Sequence, residues 1–218
     1  MKTRIKICCI KTIQEAKIAI EAGADAIGLV SKMPSGPGPI PDELMKEIAK
    51  SVPPLIGTFL LTSETSADEI IKHHIRTQSN TIQIVDLLSD GTYSQIKKAL
   101  PSVKIIQVIH VLDSESVNYV LQISEHVDAI LLDSGNPNLK IKELGGTGRV
   151  HNWALSRQIR ELSKCPIILA GGLNPENVKQ AIVEVKPFAV DVCSGVRFDD
   201  ALDIDKLSAF VNNVNSSL

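Results

Sequence analysis

The chain contains 218 residues, with a formal net charge of −2 and a pI near 6.2. It lacks the excess of lysine and arginine that attracts nucleic acid or an anionic membrane surface, and only 3% of its residues are aromatic, so few side chains can stack on bases. No apolar stretch approaches the roughly 20 residues needed to cross a bilayer. We therefore expect one domain over residues 1–218, a small-molecule ligand, and neither a nucleic-acid partner nor a membrane partner.

The four cysteines are Cys8, Cys9, Cys165 and Cys193, and the first two are adjacent. An adjacent pair is a poor basis for a disulfide framework, and this cysteine usage is typical of a reducing compartment, so we expect a cytoplasmic protein. Because successive residues of a strand point to opposite faces, Cys9 should point away from the face that carries Cys8. No CxxC pair suggests a zinc site, and we expect neither a metal nor a cofactor.

Short apolar runs alternate with helix-forming stretches along the chain. The runs are rich in valine, isoleucine and leucine, which is typical of parallel strands covered by helices. Strands are predicted over residues 4–9, 26–30, 55–60, 81–85, 104–109, 127–132, 166–170 and 188–193. The predicted helices begin near Thr12, Asp42, Ser66, Thr92, Asp113, Asn152, Asn174 and Asp203. Thr12 and Ser66 each precede a glutamate by three residues, the spacing of a capping box.

Eight strand–helix pairs predict a single (β/α)8 barrel, the TIM-barrel fold. In this fold the functional residues lie at the carboxyl ends of the strands. The candidates at these ends are Cys8, Val85, Asp86, His110, Asp133, Gly171 and Ser194.

Two of the strand-to-helix turns have the features of a phosphate site. The seventh strand runs into Gly171 and Gly172, and the eighth runs into Ser194 and Gly195. Glycines let a ligand approach backbone N–H groups, and Asn174 followed by proline is a typical helix start, whose dipole favours an anion. In (β/α)8 barrels the loops after the seventh and eighth strands commonly bind phosphate. We therefore expect a phosphorylated small molecule at these loops.

Cys8 and Asp133 are the strand-end residues best suited to proton transfer. A thiolate and a carboxyl group across one pocket form a base and an acid, which suits an isomerisation that abstracts a proton from carbon. Each residue also has a simpler interpretation: Cys8 as a small core residue, and Asp133 as a cap of the following loop. His110 can equally be a loop histidine with a local hydrogen bond.

Five sets of residues together resemble the phosphoribosylanthranilate isomerase family of tryptophan biosynthesis. They are KICCI at 6–10, EAGADAIG at 21–28, LLD at 131–133, GGTG at 145–148 with Trp153, and the paired GGLNPENV at 171–178 and VDVCSGV at 190–196. The resemblance implies a TIM barrel that needs no cofactor, with Cys8 as general base and Asp133 as general acid of an Amadori rearrangement. That reaction turns an N-linked phosphoribosyl arylamine into an open-chain 1-deoxyribulose phosphate. The phosphate-binding residues are then expected to be Gly146, Gly171, Gly172, Ser194 and Gly195.

Other positions depart from the family pattern. The family arginine that holds the anthranilate carboxylate, in an S-x-R pattern, is replaced by Pro37, although Ser35 is retained. The family's glycine after the catalytic cysteine is Cys9, its histidine after the fourth strand is Val85, and Arg197 stands where an acid is usual. The phosphate end and the catalytic pair therefore match the family, whereas the end that holds the arylamine does not.

The candidates for binding the rest of the substrate are Lys6, Gln83, His110 and Arg149, with Lys142 and Arg197 as further cations for a carboxylate. Arg149 is the first choice, because a guanidinium after the glycine loop can bind a carboxylate bidentately. Three functions remain open: a phosphoribosylanthranilate isomerase, an isomerase of the same ancestry that acts on another phosphoribosyl amine, and a non-catalytic phosphosugar-binding protein. The presence of both Cys8 and Asp133 argues against the third, and the missing arginine favours the second over the first.

Overall fold

The structure is a computed structural model that describes residues 2–217, and it confirms the predicted (β/α)8 barrel. Eight parallel strands pair in chain order, and the last pairs with the first to close the barrel. The strands are β1 (Arg4–Ile7), β2 (Ala26–Val30), β3 (Gly57–Thr62), β4 (Thr81–Ile84), β5 (Lys104–His110), β6 (Ala129–Asp133), β7 (Ile167–Leu169) and β8 (Ala189–Val192). The helices are α1 (Ile13–Ala22), α2 (Asp42–Ser51), α3 (Ala67–Thr77), α4 (Tyr93–Ala99), α5 (Glu115–Ile123), α6 (Trp153–Leu162), α7 (Val178–Val185) and α8 (Ile204–Asn215).

Between β8 and α8 the chain forms a short 3-10 turn (Ser194–Val196) and a two-stranded hairpin, β9 (Arg197–Phe198) and β10 (Ala201–Leu202). No helix within residues 2–217 combines the length and the apolar character needed to cross a bilayer.

The barrel has an outer and an inner layer of buried side chains, because each strand points successive residues to opposite faces. In β1, Ile5 and Ile7 pack in the large core formed with the helices. Lys6 lies between them in the sequence and points into the barrel, where its side chain bonds to Asp191 of the neighbouring strand β8. Cys8 follows two residues later and belongs to the inner cluster. The strand period therefore places Lys6 and Cys8 on the same inner face.

Strand β3 begins later than predicted. It spans Gly57–Thr62 instead of residues 55–60, and Leu55 is fully exposed with a φ of 77°. Leu55 follows Pro53 and Pro54, which cannot donate the hydrogen bonds of a strand, so the chain turns here before it enters the barrel. Apolar character alone was misleading at this position.

The two predicted capping boxes differ in outcome. The Thr12 hydroxyl accepts a hydrogen bond from the N–H of Glu15 at 3.0 Å, which confirms the start of α1. Ser66 precedes α3 but does not cap it, because its hydroxyl donates to Asp90 at 3.2 Å. The predicted capping box at Ser66 is therefore wrong.

Helix α7 begins at Val178 and not directly after Asn174 as predicted. The side-chain oxygens of Asn174 and Asn177 each accept the backbone N–H of the other residue at 2.9 Å. The side-chain amide of Asn177 also donates to the carbonyl of Gly172 at 2.9 Å. These bonds fix a turn between the glycines and the helix, so the helix start lies further from Gly172 than the sequence indicates.

Candidate active site

A cavity opens at the carboxyl ends of the barrel strands, and we call it the mouth cavity. Four of its polar lining side chains lie in or next to strands that are far apart in the sequence: Cys8, Gln83, Asp133 and Asp191. Apolar side chains contribute a second part of the lining: Val30, Met33, Leu61, Val85 and Leu144. The rest comes from Val192 of β8 and from the loops that follow β1, β2, β6, β7 and β8. The cavity lies where the fold predicts the functional residues.

Cys8 lies just past the end of β1 and is 5% exposed. Its N–H donates to the carbonyl of Val192 at 2.8 Å, so the pairing of β1 with β8 continues up to this residue. Gly28 of β2 leaves room for the thiol, because a Cβ atom there would lie 2.7 Å from Cys8 Sγ and 3.1 Å from Lys6 Nζ. The thiol and the ammonium group therefore lie close together beside the same glycine.

Lys6 lies inside the barrel and is held by an ion pair. Its Nζ is 2.7 Å from Oδ2 of Asp191, its register partner in β8, and both side chains are buried. Lys6 is not among the residues that line the mouth cavity, so in this structure it lies behind the thiol and not at the predicted substrate contact. Burial opposes its charge, but the Asp191 carboxylate and the Cys8 sulfur raise the pKa of Lys6 above its ordinary value. The ammonium group therefore stays charged.

The Cys8 thiol is a weaker acid than an ordinary cysteine. Burial raises the pKa of Cys8 to about 11, and the negative charge of Asp191 acts in the same direction. The ammonium group of Lys6 and the N–H of Cys9 oppose this rise. Formation of a thiolate at Cys8 therefore depends on the positive charge of Lys6.

Asp133 is the last residue of β6 and is 8% exposed. Its Oδ1 accepts the N–H of Ser134 at 2.7 Å, and its Oδ2 faces Gly145, where a Cβ atom would lie 2.9 Å away. Burial raises the pKa of Asp133, although the neighbouring His110 and the Ser134 hydrogen bond act against the rise. A carboxyl group with a raised pKa keeps its proton to higher pH, as a proton donor requires.

Three of the predicted phosphate-binding residues of the β7 and β8 loops line the mouth cavity: Gly171, Gly172 and Ser194. Gly171 and Gly172 adopt φ values of 81° and 62°, in the left-handed region that favours glycine. Within residues 2–217, the N–H groups of these two glycines donate to no protein acceptor. They are therefore available to an anion.

The two other predicted phosphate-binding glycines differ in position. Gly146 lines the mouth cavity and packs against the ring of Pro37, so close that a Cβ atom would lie 2.5 Å from its Cδ. Gly195 is not among the lining residues. It lies where the β8 loop packs on the β7 loop, and a Cβ atom at this position would overlap the carbonyl oxygen of Leu173. Gly195 therefore allows close contact between the loops that follow β7 and β8.

Gln83 and His110, both predicted to bind substrate, lie in different places. Gln83 is buried and lines the mouth cavity, and its Oε1 has no hydrogen-bond partner within the described part of the chain. His110 lines a neighbouring cavity instead, with its Nε2 3.2 Å from the carbonyl oxygen of Val85. Burial lowers the pKa of His110, although Asp133 acts against this. His110 is therefore a neighbour of the candidate acid and does not line the cavity.

The cations proposed for a carboxylate are paired with protein acids. Arg149 bonds to Glu143, its side chain is 57% exposed, and it does not line the mouth cavity. Lys142 bonds to Asp86 at 2.5 Å, and its carbonyl accepts the Ser35 hydroxyl at 2.7 Å. No lysine, arginine or histidine is among the lining residues of this cavity, all of which lie within residues 2–217. No side chain that lines the cavity can therefore form an ion pair with a carboxylate.

Asp191 is a site residue that sequence reasoning did not single out. It is buried, it lines the mouth cavity, and its Oδ1 has no hydrogen-bond partner among the described residues. A signal was present, because Asp191 is the one charged residue in the apolar run 188–193, on the same strand face as Cys193 and opposite Lys6 in register. A lone carboxylate on the inner face of a buried strand needs a partner.

The structure corrects the prediction for two cysteines. Cys9 and Cys193 form a disulfide with a Cα–Cα distance of 5.8 Å, whereas Cys8 and Cys165 remain free. Cys9 has a φ of 62°, outside the range of a regular strand, so the alternation rule that predicted its direction does not apply. The pairing joins residues 184 positions apart and is visible only once β1 and β8 are neighbours.

Comparisons with known proteins agree with this geometry. The sequence model of the N-(5'phosphoribosyl)anthranilate (PRA) isomerase family matches residues 5–213. A protein of Methanosarcina mazei named N-(5'-phosphoribosyl)anthranilate isomerase 2 is 37% identical over 196 residues, which are 89% of this chain and 85% of that protein. A protein of Methanosarcina acetivorans with the name N-(5'-phosphoribosyl)anthranilate isomerase is 35% identical over 98% of this chain and 94% of its own length.

Solved structures of the same family match the fold. The phosphoribosyl anthranilate isomerase of Thermotoga maritima superposes with a TM-score of 0.82 and 30% identity, over 98% of this chain and 99% of that one. A phosphoribosyl anthranilate isomerase in complex with reduced 1-(o-carboxyphenylamino)-1-deoxyribulose 5-phosphate matches with a TM-score of 0.79 and 28% identity, over the same shares of the two chains. Sequence, fold and cavity agree, and the chain belongs to the N-(5'-phosphoribosyl)anthranilate isomerase family.

Proposed function

We propose that this protein catalyses the Amadori rearrangement of N-(5'-phosphoribosyl)anthranilate, the isomerase step of tryptophan biosynthesis, in the cytoplasm. The observation that carries the proposal is that Cys8 and Asp133 line one cavity together with the glycine loops after β7 and β8. A base, an acid and an anion site are the groups that the rearrangement of a phosphorylated aminosugar needs. The relative bound to a reduced carboxyphenylamino deoxyribulose phosphate supports the same class of substrate.

The reaction proceeds by successive proton transfers, the first to the ring oxygen and the second from C2. Asp133 donates its proton to the ring oxygen of the ribosyl group, the C1–O bond breaks, and an open-chain iminium ion forms. The Cys8 thiolate then removes the proton from C2, and the electrons of that C–H bond neutralise the iminium ion to give an enolamine. The enolamine gains a proton at C1 and loses the proton of the C2 hydroxyl, which yields the aminoketone. Hydrogen moves within the substrate, so the reaction has no net oxidant or reductant.

Burial favours the neutral forms of the Asp133 carboxyl group and the Cys8 thiol. The raised pKa of Asp133 keeps its proton ready for donation. The raised pKa of Cys8 works against the base, so the thiolate requires the charge of Lys6 beside it. Asp191 in turn keeps Lys6 charged. Its second oxygen, Oδ1, is free to accept a hydrogen bond from a sugar hydroxyl in the mouth cavity.

The phosphate group binds at the backbone of the β7 and β8 loops. Gly171, Gly172 and Ser194 border the cavity there, and the N–H groups of both glycines have no acceptor in the described chain. Backbone N–H groups bind phosphate without a charged side chain, as is common for these two loops in (β/α)8 barrels. This supports a phosphosugar as the ligand.

A second candidate function is the same rearrangement of a phosphoribosyl amine with an uncharged arylamine. The observation that favours it is that no cation lines the mouth cavity and that Pro37 lines it in place of the family arginine. A carboxylate bound there without a cation would lose its hydration without compensation. To bind anthranilate, the enzyme must either leave the carboxylate in water or release Arg149 from Glu143 or Lys142 from Asp86.

One assay tests the reaction and separates the two candidates. Phosphoribosylanthranilate is generated enzymatically, and its conversion is followed as loss of anthranilate fluorescence. We expect turnover by the wild-type protein and by Cys165→Ser, a matched control because Cys165 is a free cysteine that does not line the mouth cavity. A folded protein without turnover would contradict the first function. Turnover of the phosphoribosyl adduct of unsubstituted aniline would then support the second.

A further inference from the structure

The Cys9–Cys193 disulfide joins the two loops that carry the proposed base and the proposed phosphate site. Cys9 directly follows Cys8, and Cys193 directly precedes Ser194. The two cysteines are 184 residues apart in sequence, but their Cα atoms are 5.8 Å apart because β1 pairs with β8. A change at this bond therefore acts on both loops at once.

Cys9 is held in a conformation that a non-glycine residue rarely adopts. Its φ of 62° is in the left-handed region, and the family resemblance places a glycine here. The guanidinium of Arg197 donates to the carbonyl of Cys9 and bonds to Glu15 of α1 at 2.9 Å. Two departures from the family pattern, Cys9 and Arg197, thus contact each other. Together with Cys193 they hold this loop in place.

The disulfide is accessible from the substrate side. Both Cys9 and Cys193 line the mouth cavity, next to Cys8 and Ser194. Thiol–disulfide exchange requires an attacking thiolate to reach one of the sulfurs, and the cavity provides this path. A phosphorylated ligand bound at Ser194 would block the path. In a reducing compartment, disulfides are usually transient and respond to the redox state.

We propose that the Cys9–Cys193 disulfide is a reversible redox link that positions the Cys8 loop against the phosphate-binding loop, a role that rests on the proposed function. A dithiol reductant breaks the S–S bond: Cys9 and Cys193 each become a thiol, and the reductant loses two electrons and two protons and closes its own disulfide. Without the link, only the β1–β8 pairing and the Arg197 contact hold the two loops, and the distance between the base and the phosphate site is less tightly fixed, so substrate binding and turnover fall. Exchange with an oxidised dithiol forms the Cys9–Cys193 bond again and restores substrate binding and turnover.

Thiol counting tests whether the link exists and whether ligand protects it. Alkylation under denaturing conditions followed by intact mass measurement should label two cysteines without reductant, Cys8 and Cys165, and all four after dithiothreitol treatment of the folded protein. Inorganic phosphate present during the reduction should slow the appearance of the additional labels at least about threefold, because a bound anion covers the sulfurs.

Kinetics test the positioning role. We expect reduction to raise KM for the phosphorylated substrate at least about fivefold with a smaller change in kcat, and reoxidation to reverse this. Cys165→Ser should respond to reductant as the wild type does. Cys193→Ser should have the KM of the reduced wild type with or without reductant. If Cys193→Ser does not fold, Cys9→Gly supplies the same test, because glycine adopts the φ of Cys9 without strain.

Two results would overturn the proposal. One is the labelling of all four cysteines in protein that has not been treated with a reductant. The other is equal kinetic constants in the oxidised and reduced states. If neither state acts on N-(5'-phosphoribosyl)anthranilate, it is the proposed function that fails. Protection by inorganic phosphate then decides alone: slower reduction supports the link between phosphate site and disulfide, and an unchanged rate overturns it.

Discussion

The phosphate end and the arylamine end of the mouth cavity are built in different ways. At the proposed phosphate end, Gly171 and Gly172 line the cavity, and reciprocal bonds between Asn174 and Asn177 fix the loop behind them. At the proposed arylamine end, Pro37 lines the cavity in place of the family arginine, no cation is among the lining residues, and Lys142 and Arg149 are bonded to protein acids. Backbone recognition is tied to the fold, whereas side-chain recognition changes with single substitutions. In the proposed function, the phosphate end therefore anchors the substrate, and the arylamine end determines which amine is accepted.

The largest effect is expected where the two ends meet, at the catalytic pair. Cys8→Ser and Asp133→Asn should each lower kcat by about 10²–10⁴-fold, because a serine hydroxyl does not become a base at neutral pH and an amide does not donate a proton to the ring oxygen. Inhibition by inorganic phosphate should stay at the wild-type level in both variants. If Cys8→Ser kept a near-normal kcat, the base would have to be another group.

Lys6 provides the next largest effect, because it supports the base without lining the cavity. Lys6→Met should raise the pKa of Cys8 further, since it removes the one charge that opposes the effect of burial. The alkylation rate of Cys8, followed by peptide mass across a pH series, should therefore increase only at higher pH than in the wild type. Lys6→Arg keeps the charge and should stay closer to the wild-type profile.

The same experiment distinguishes an effect of Lys6 on the thiol from a role of Lys6 in stability alone. Removing Lys6 leaves Asp191 buried without its partner, which costs about 3–5 kcal/mol of stability. Lys6→Met combined with Asp191→Asn removes both charges and should recover part of the thermal stability. Because the charge of Asp191 itself raises the pKa of Cys8, the alkylation profile of this double variant is compared with that of Asp191→Asn alone. If the two profiles matched, Lys6 would have no influence on the thiol.

The sequence predicted the barrel, and it predicted the strand-end positions of the cysteine, the carboxylate and the glycine pairs that line the mouth cavity, because each depends on local patterns. Apolar runs, the glycine pairs and the strand-end positions of Cys8 and Asp133 are readable without knowing which strands are neighbours. The misplaced start of β3 at Leu55 also has a local cause, since two prolines override an apolar residue.

What the sequence did not predict depends on contacts between distant residues. The Cys9–Cys193 disulfide and the Lys6–Asp191 pair both cross the seam between β1 and β8, and neither can be assigned before the barrel closes. Arg149 was the first choice for a carboxylate because of its position after the glycine loop. In the structure the orientation of its side chain is set by Glu143, an acid six residues earlier.

At the phosphate end, Gly172→Ala should have a medium effect. A Cβ atom at Gly172 would lie 2.5 Å from the carbonyl carbon of Arg149, and the φ of 62° disfavours any side chain. We expect KM and the inhibition constant of inorganic phosphate to rise about tenfold, while kcat changes less. Gly148→Ala is a matched control, because Gly148 has a φ of 69° but open space around a Cβ atom. Equal effects in the two variants would point to backbone strain and not to the phosphate contact.

The smallest effects are expected at the arylamine end. Arg149→Met should change KM for the anthranilate-linked substrate by less than about threefold, because an exposed guanidinium paired with Glu143 contributes little to a cavity that it does not line. Pro37→Arg should lower that KM by up to about tenfold, since a guanidinium on this loop can bind the carboxylate bidentately. Inhibition by inorganic phosphate should change in neither variant.

Pro37→Met separates the two properties that Pro37→Arg changes. Both substitutions remove the ring that packs on Gly146 and free the loop backbone, but only arginine brings a charge. If methionine lowers KM as much as arginine does, the stiffness of the loop and not the missing cation limits binding of the anthranilate end. If Arg149→Met instead raises KM about tenfold, Arg149 must leave Glu143 when substrate binds, and the arylamine end recognises charge after all. The difference between the two ends would then disappear on substrate binding, because side chains from the rim would supply the cation that the empty cavity does not present.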